Sequence, residues 1–235
     1  HKLALLAAIA FGKKVNFARV VVEGIGAITI EDINAAADMG YRVKLLGVSQ
    51  MTELGLEQRM TPCLVSASSP LGQLEGGTNM VILEGQDSGQ IVLRGAGAGE
   101  GPTASAVMSD IIDIARGQRM DTFGQPASSL LDAKPATATT SAPFYLRLQL
   151  LDKPGALAKI AAIMGKANIS IDRMRQYGHD TDSAPVLIVT HRTTRTAIDQ
   201  ILTEFSKTKL IGSTPVALRI ESVSYTHLRA HETLD

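Results

Sequence analysis

The sequence predicts an α/β (α+β) chain: a mixed sheet with helices packed on it, followed by a smaller, separate module of ferredoxin-like βαββαβ order. Three observations carry this reading. Over residues 1–120, apolar runs of strand period alternate with segments of helical period. Residues 121–143 then change composition, with Gly124, Pro126, Pro135 and Pro143 among many Thr, Ser and Ala. Beyond them the periods run strand, helix, strand, strand, helix, strand.

The bulk numbers bound the answer. A chain of 235 residues that is 45% hydrophobic can bury a core in one or two domains. Its 23 basic and 23 acidic side chains balance, which excludes a global field favouring nucleic acid or an anionic membrane. Cys63 is the single cysteine, so there is no internal disulfide framework and no cysteine-based zinc site; a reducing cytoplasm is expected. No apolar run reaches the roughly 18 residues of a membrane span, and the first residues lack a basic region ahead of an apolar stretch and cleavage site, so a soluble intracellular protein is expected. His179 and His191 lack metal-ligand spacing, and no metal site is expected.

The first helix takes its apolar face from Leu3, Leu6, Ala7 and Ala10 and stops at Gly12. Lys2 stands at its start, where a lysine is ordinarily a solvated charge. Val20 to Ile25 leads into a helix from about Ile30 to Met39, with Thr29 as N-cap and Gly40 as the stop. Glu23, Glu31 and Asp32 read as surface or capping charges. Strands follow at Tyr41 to Val48 and Thr61 to Ser68, the second edged or bulged by Pro62. The Ser66-to-Gly77 connection reads as a long loop able to cover a cleft. Asn79 to Leu83 and Gln90 to Leu93 form a hairpin across Gly85 to Gly89.

The stretch Leu93-Arg94-Gly95-Ala96-Gly97-Ala98-Gly99-Glu100-Gly101-Pro102 joins that hairpin to a helix opening on Pro102. Ala104, Val107, Met108, Ile111, Ile112 and Ala115 give the helix a face for burial, and Gly117 ends it. A glycine turn before a helix N-terminus is a place where backbone N–H groups can meet an anion. A tight connection that simply needs small residues explains the spacing equally well. The dinucleotide fingerprint is broken, because position 100 is not glycine.

Leu130 and Leu131 are the only apolar pair expected to dock the linker. After it, Phe144, Leu146, Leu148 and Leu150 alternate as a strand, and Pro154-Gly155 turns into a helix with face Leu157, Ile160, Ala161 and Met164. Strands near Ile169 to Arg175 and Pro185 to Thr190 precede a helix carrying Ile198, Ile201, Leu202 and Phe205, capped by Thr194. Val216, Leu218 and Ile220 alternate in the closing strand, Pro215 to Val223. Taken singly, Asp152 is an ordinary turn residue and Asn168 an ordinary helix terminator.

Two stretches resemble known families. The run from Gly95 to Val107 closely resembles the end of the catalytic region of homoserine dehydrogenases, and His1-Lys2-Leu3-Ala4-Leu5-Leu6-Ala7 resembles the helix carrying their catalytic lysine. The resemblance implies that Lys2 is catalytic, that Gly97, Gly99 and Glu100 lie on the cofactor side, and that the cofactor is NADP or NAD. It also implies that the aspartate one turn before the lysine, and the main nucleotide-binding domain, precede His1, so that the chain is a fragment expected to be inactive alone. The run Leu150-Leu151-Asp152-Lys153-Pro154-Gly155-Ala156-Leu157, with Asn168-Ile169 after the helix, resembles an ACT domain. That resemblance implies an amino-acid effector site at Asp152, Gly155, Ala156 and Leu157, completed by Asn168 and Ile169 of a neighbouring protomer, and hence a homodimer or higher homo-oligomer.

The implied organisation is a catalytic segment over 1–120, a linker over 121–143 and an ACT domain over 144–223. Residues 224–235 resemble a translated sequencing adapter and are expected to be non-native. The implied activity interconverts homoserine and aspartate 4-semialdehyde under feedback, with threonine as effector by analogy. The competing reading is a non-enzymatic amino-acid-binding regulator in which only the second module takes a ligand.

Overall fold

A computed structural model describes residues 1–177 and 182–221. In chain order the elements are α1 (Lys2–Phe11), β1 (Val21–Val22), α2 (Ile30–Asp38), β2 (Tyr41–Thr52), β3 (Gly55–Ser66), β4 (Thr78–Gly85), β5 (Gly89–Ala96), α3 (Glu100–Ala115), β6 (Phe144–Leu151), α4 (Ala156–Lys166), β7 (Ile171–Gln176), β8 (Ser183–Thr190), α5 (Arg195–Lys207) and β9 (Val216–Glu221). They divide into two compact units: one of residues 1–25, 45–62 and 73–140, the other of 26–44, 63–72 and 141 onward. The division cuts across chain order, since α2 and the end of β3 belong with the βαββαβ module. Among the described residues no helix is long and apolar enough to cross a membrane.

In the first unit α1 is closed by Gly12 in the left-handed conformation, φ 61°. Its buried residues are Leu3, Ala4, Ala7 and Ala8, not the expected Leu3, Leu6, Ala7 and Ala10. This helix is apolar on every side, so period alone cannot choose a face. The small alanines admit close packing, Leu3 sits over Gly47 of β2, and Leu6 is left 46% exposed.

The strand expected from Thr61 begins six residues earlier. Leu56-Glu57-Gln58-Arg59 looks too polar for a core strand, yet all four are buried. Arg59 Nε donates to Glu57 Oε1 at 2.7 Å and the Thr140 N–H donates to Glu57 Oε2 at 2.9 Å, so the carboxylate enters the interior already bonded. Arg59 and Met60 pair in parallel with β1, whereas the parallel pairing to β9 starts at Cys63. Pro62 falls between the two registers, where its missing N–H costs neither ladder a bond.

The β4–β5 hairpin forms in the register Thr78↔Ala96 to Gly85↔Gly89, longer at both ends than its apolar centre indicated. Helix α3 starts at Glu100, which puts Pro102 third in the helix, not first. The larger departure is its face: Val107, Met108, Ile111 and Ile112 have the expected spacing but are 41–53% exposed, and α3 buries no residue. The periodicity describes a face made for burial; nothing among the described residues covers it.

In the second unit the strands run β3–β9–β6–β8–β7, with β3–β9 parallel and the other neighbours antiparallel. The last four are the expected βαββαβ module. One face carries α4 and α5 over Phe144, Leu146, Leu148, Leu150, Val186 and Ile188. In α4, Ile160 and Met164 are buried as expected, but Ala156 joins them and Ala161 faces out. Thr194 caps α5 by accepting from the Ala197 N–H at 3.2 Å. The opposite face, which alternation alone would leave to solvent, is also sealed. Ala35 and Ala36 of α2 and Leu64 of β3 pack with Tyr145, Leu187, Val189, Val216, Leu218 and Ile220.

The Ser66-to-Gly77 connection starts as a tight turn. Ser69 Oγ donates to Ser66 O at 2.6 Å and the Gly72 N–H donates to Ser69 Oγ at 3.1 Å, so its first part is curled against the strand end instead of reaching out as a cover. Leu130 is 6% exposed, but Leu131, expected to dock beside it, is 63% exposed and contributes its backbone instead. His179 and the segment beyond Glu221, including the final twelve residues, lie outside the described residues.

Candidate functional site

The glycine-rich bend follows from the hairpin register. The Gly97 N–H donates to Gly77 O at 3.3 Å, carrying the ladder one step past β5. A Cβ at Gly97 would sit 1.6 Å from the Asn79 side-chain amide, so a larger residue there would have to displace that side chain. Gly99 is the N-cap of α3 with φ +114°, a conformation closed to other residues, and its carbonyl accepts from the Thr103 N–H at 3.1 Å. Residues 91–110 are exposed throughout, so the bend presents an open face with the α3 N-terminus directly behind it. A helix start with its first N–H groups unpaired, Glu100 on its first turn and only the methyls of Ala96 and Ala98 on the bend admits a flat or anionic group beside Gly99. Gly97 thus lies against the Asn79 side chain, whereas Gly99 and Glu100 stand on the open side of the bend.

Lys2 is the first residue of α1 and is exposed. Among the described residues no hydrogen bond or ion pair joins it to Gly97, Gly99 or Glu100. No cluster of three or more His, Cys, Asp or Glu side chains that could hold a metal occurs among them either. His191 is exposed, and Cys63 is fully buried with its Sγ 4.0 Å from Glu221 Oε1.

In the second unit β6 ends in the turn expected to take an effector. The Asp152 N–H donates to Asp182 O at 2.8 Å, the Ala156 N–H donates to Lys153 O at 3.0 Å, and Gly155 caps α4 with φ +82°. Leu157 is half-buried against the core. Asn168 and Ile169 lie past the other end of the 11-residue α4, about 16 Å away at a rise of about 1.5 Å per residue. Asn168 is exposed in the left-handed conformation with φ 55°, while the Ile169 side chain is 3% exposed in the core and leaves only its backbone for a ligand. One chain thus does not bring the two halves of the expected effector site together.

Sequence reasoning missed a buried charge cluster on the second face of this sheet. Asp32 is completely buried. Its carboxylate accepts from Arg147 Nε and, at 3.1 Å, from Arg147 Nη2 of β6, and from the Tyr145 hydroxyl at 3.4 Å. It also accepts from the Thr29 N–H at 3.0 Å and the Thr29 hydroxyl at 3.2 Å, closing a capping box at the start of α2. Asp32 is therefore a cap, as expected, but not a surface charge. The only signal in the sequence was an arginine at a strand position, Arg147 between Leu146 and Leu148, where a partner is required.

Burial, and then the Asp32 carboxylate, push the Tyr145 phenol far above its ordinary value. The folded state holds that proton more tightly than the unfolded one. Its contribution to stability is therefore complete below the ordinary tyrosine value near pH 10 and is lost as pH rises beyond it. Alkaline denaturation followed at fixed urea should show stability falling above about pH 10, with a smaller fall in Tyr145→Phe. An identical profile for both chains would exclude this phenol as the cause.

The homoserine dehydrogenase family model matches residues 1–112 and the ACT domain model residues 144–209. The first half belongs to the homoserine dehydrogenase family, and the second module is an ACT domain. Homoserine dehydrogenase of Neisseria gonorrhoeae is 36% identical over 231 residues, covering 95% of this chain and 53% of the relative. That of Pseudomonas aeruginosa is 35% identical over 234 residues, covering 95% and 54%. The crystal structure of a homoserine dehydrogenase from Thiobacillus denitrificans superimposes with a TM-score of 0.85 at 32% identity, covering 95% of this chain and 52% of that one. The chain spans about half the length of the curated relatives it matches. Helix α2, which lies within the dehydrogenase segment by sequence, packs on the ACT sheet.

Proposed function

We propose that this chain is the C-terminal part of an NAD- or NADP-dependent homoserine dehydrogenase that interconverts L-homoserine and L-aspartate 4-semialdehyde. The observation that carries it is the open glycine bend at the start of α3, within a chain related over 95% of its length to homoserine dehydrogenases. When bound, the nicotinamide group supplies or accepts the hydride. The role of this chain is to bring Gly97, Gly99 and the Glu100 end of α3 against it without steric conflict. Lys2 places an ammonium at the aldehyde oxygen, where negative charge develops on reduction, and donates the proton that makes the hydroxyl. In the oxidative direction the same nitrogen takes that proton back.

Residues 1–120 act as the catalytic and dimerisation segment, 121–143 as the connection and 144–223 as the regulatory domain of a cytoplasmic homodimer or higher homo-oligomer. Threonine is the effector we assign, bound by the backbone of Asp152, Gly155, Ala156 and Leu157 with Asn168 and Ile169 of a second protomer. The separation of these two groups along α4 supports a shared site, because one chain holds only half of each.

Calorimetric titration of threonine into the 235-residue chain should give saturable heat that Gly155→Val removes. No heat at about 10 mM threonine, a concentration that would reveal even a millimolar site, would remove threonine as effector. The same chain should show no homoserine-dependent reduction of NAD or NADP. Turnover would show that the pocket is complete within these residues.

A further inference from the structure

The segment leaving α3 crosses the first unit as a strap held at two points. At one, the Leu131 N–H donates to Gly12 O at 3.2 Å and the Lys14 N–H donates to Leu131 O at 2.9 Å. At the other, the Leu56 N–H donates to Lys134 O at 2.8 Å and the Ala136 N–H donates to Leu56 O at 3.0 Å. The second anchor is tight: a Cβ at Gly55, where φ is +124°, would meet Lys134 O at 2.4 Å. Beside the anchors lies a cavity of about 170 Å³, walled by Val15, Leu56 and Pro135 and carrying the polar groups of Lys14, Asn16, Arg19, Gln58 and Asp132. That volume exceeds the roughly 30 Å³ share of one water molecule several-fold.

The polar groups are unequally satisfied. Strand alternation puts Glu57 and Arg59 on one face of β3, where they pair, and Leu56 and Gln58 on the other, lining the cavity. Gln58 is 6% exposed, yet among the described residues nothing hydrogen-bonds its side-chain amide. Its amide atoms are not sealed in the interior but open into the cavity, where they are free to bond whatever occupies it, water or ligand. At the rim Lys14 Nζ and Asp132 Oδ2 are 3.0 Å apart and neutralise each other. Arg19, exposed and without an acidic partner among the described residues, is the uncompensated charge.

We propose that this cavity binds a small monocarboxylate, its oxygens accepting from the Arg19 guanidinium and the Gln58 amide and its carbon chain resting on Val15, Leu56 and Pro135. A guanidinium fork matches the planar oxygen pair of a carboxylate. A dianion such as phosphate would meet one free cation and the Asp132 carboxylate, and would be left under-neutralised. The occupant would join the strap to β3. This site is separate from the ACT turn and stands whether or not threonine binds there.

The test is an NMR titration of the isotope-labelled 235-residue chain with sodium propionate, and in parallel with inorganic phosphate. Expected are saturable shifts of the Gln58 side-chain amide and the Arg19 Nε–H with millimolar affinity, weakened about tenfold or more by Arg19→Ala and by Gln58→Leu. Phosphate should shift neither. The proposal is overturned if propionate causes no saturable shift up to about 50 mM, or shifts only the Ala156 and Leu157 amides. Unchanged affinity in the variants, or equal binding of phosphate, overturns it too. Arg19 is exposed and its removal disturbs no packing, so Arg19→Ala decides the matter if Gln58→Leu fails to fold.

Discussion

A chain carrying Arg147→Met is expected to lose about 3–5 kcal/mol of stability in its second unit, because the substitution leaves the Asp32 carboxylate buried without its cation. Methionine keeps most of the aliphatic stem, so lost packing is a small part of the effect. The carboxylate retains its bonds to Thr29 and the long contact to Tyr145, which hold the cap but do not compensate a full charge. Asp32→Asn should cost less, since an amide is cheaper to bury than an unpaired charge, though it sacrifices part of the capping box, worth about 1 kcal/mol. The double variant should then fall well short of the sum of the two, by about 1–3 kcal/mol, which is the signature of direct coupling. Urea denaturation midpoints of the four chains measure this directly. Additive losses would mean that the two residues act separately and that α2 is held by its alanines alone.

That pair marks the boundary of what the sequence could disclose. The βαββαβ order, the caps at Thr29 and Thr194, the hairpin and the stop at Gly12 are all local, fixed within a few residues by period and turn chemistry, and each stands where the pattern put it. What failed was the choice of face and partner. Alternation showed that Val216, Leu218 and Ile220 share a side of β9, but not that this side meets α2, nearly two hundred residues earlier in the chain. Helix α1 is apolar all round, so its spacing fits two faces, and only the fit of Ala4 and Ala8 selects one. The spacing in α3 is correct for burial while its covering surface is absent from the described residues. Leu56 to Arg59 was hidden for the opposite reason: buried charge pairs look like surface until their partners, one of them the backbone at Thr140, are known. At the candidate sites, Lys2, Gly97, Gly99, Glu100, Asp152, Gly155 and Asn168 are exposed while Ala156 and Ile169 are buried, whereas the groove under the strap is built from three separated segments and has no motif at all.

Removing everything before β6 should have the larger effect. Residues 144–221 alone contain all four strands and both helices of the ACT domain, yet they lack α2 and β3, the cover for Tyr145, Leu187, Val189, Val216, Leu218 and Ile220. Uncovering six large side chains, at about 1.5–3 kcal/mol for each one fully exposed, sets an upper bound on the order of 10 kcal/mol, reduced by partial burial in the unfolded chain. A domain with about 5–15 kcal/mol in hand does not absorb that loss. The truncated module is therefore expected to self-associate through this face or to bind a hydrophobic dye, with no cooperative unfolding transition of its own. Replacing Leu187, Val189 and Leu218 with threonine in the truncated module, where the face is now wet, should restore monomeric behaviour. In the full chain the same replacements should destabilise, because there the face is dry. A truncated module that stays monomeric and unfolds cooperatively without those changes would show that α2 adds little to the sheet it covers. The opposite signs expected in the two backgrounds separate exposure of this face from a general weakness of the module. They also make the intact chain, not the excised domain, the species in which effector binding has to be measured.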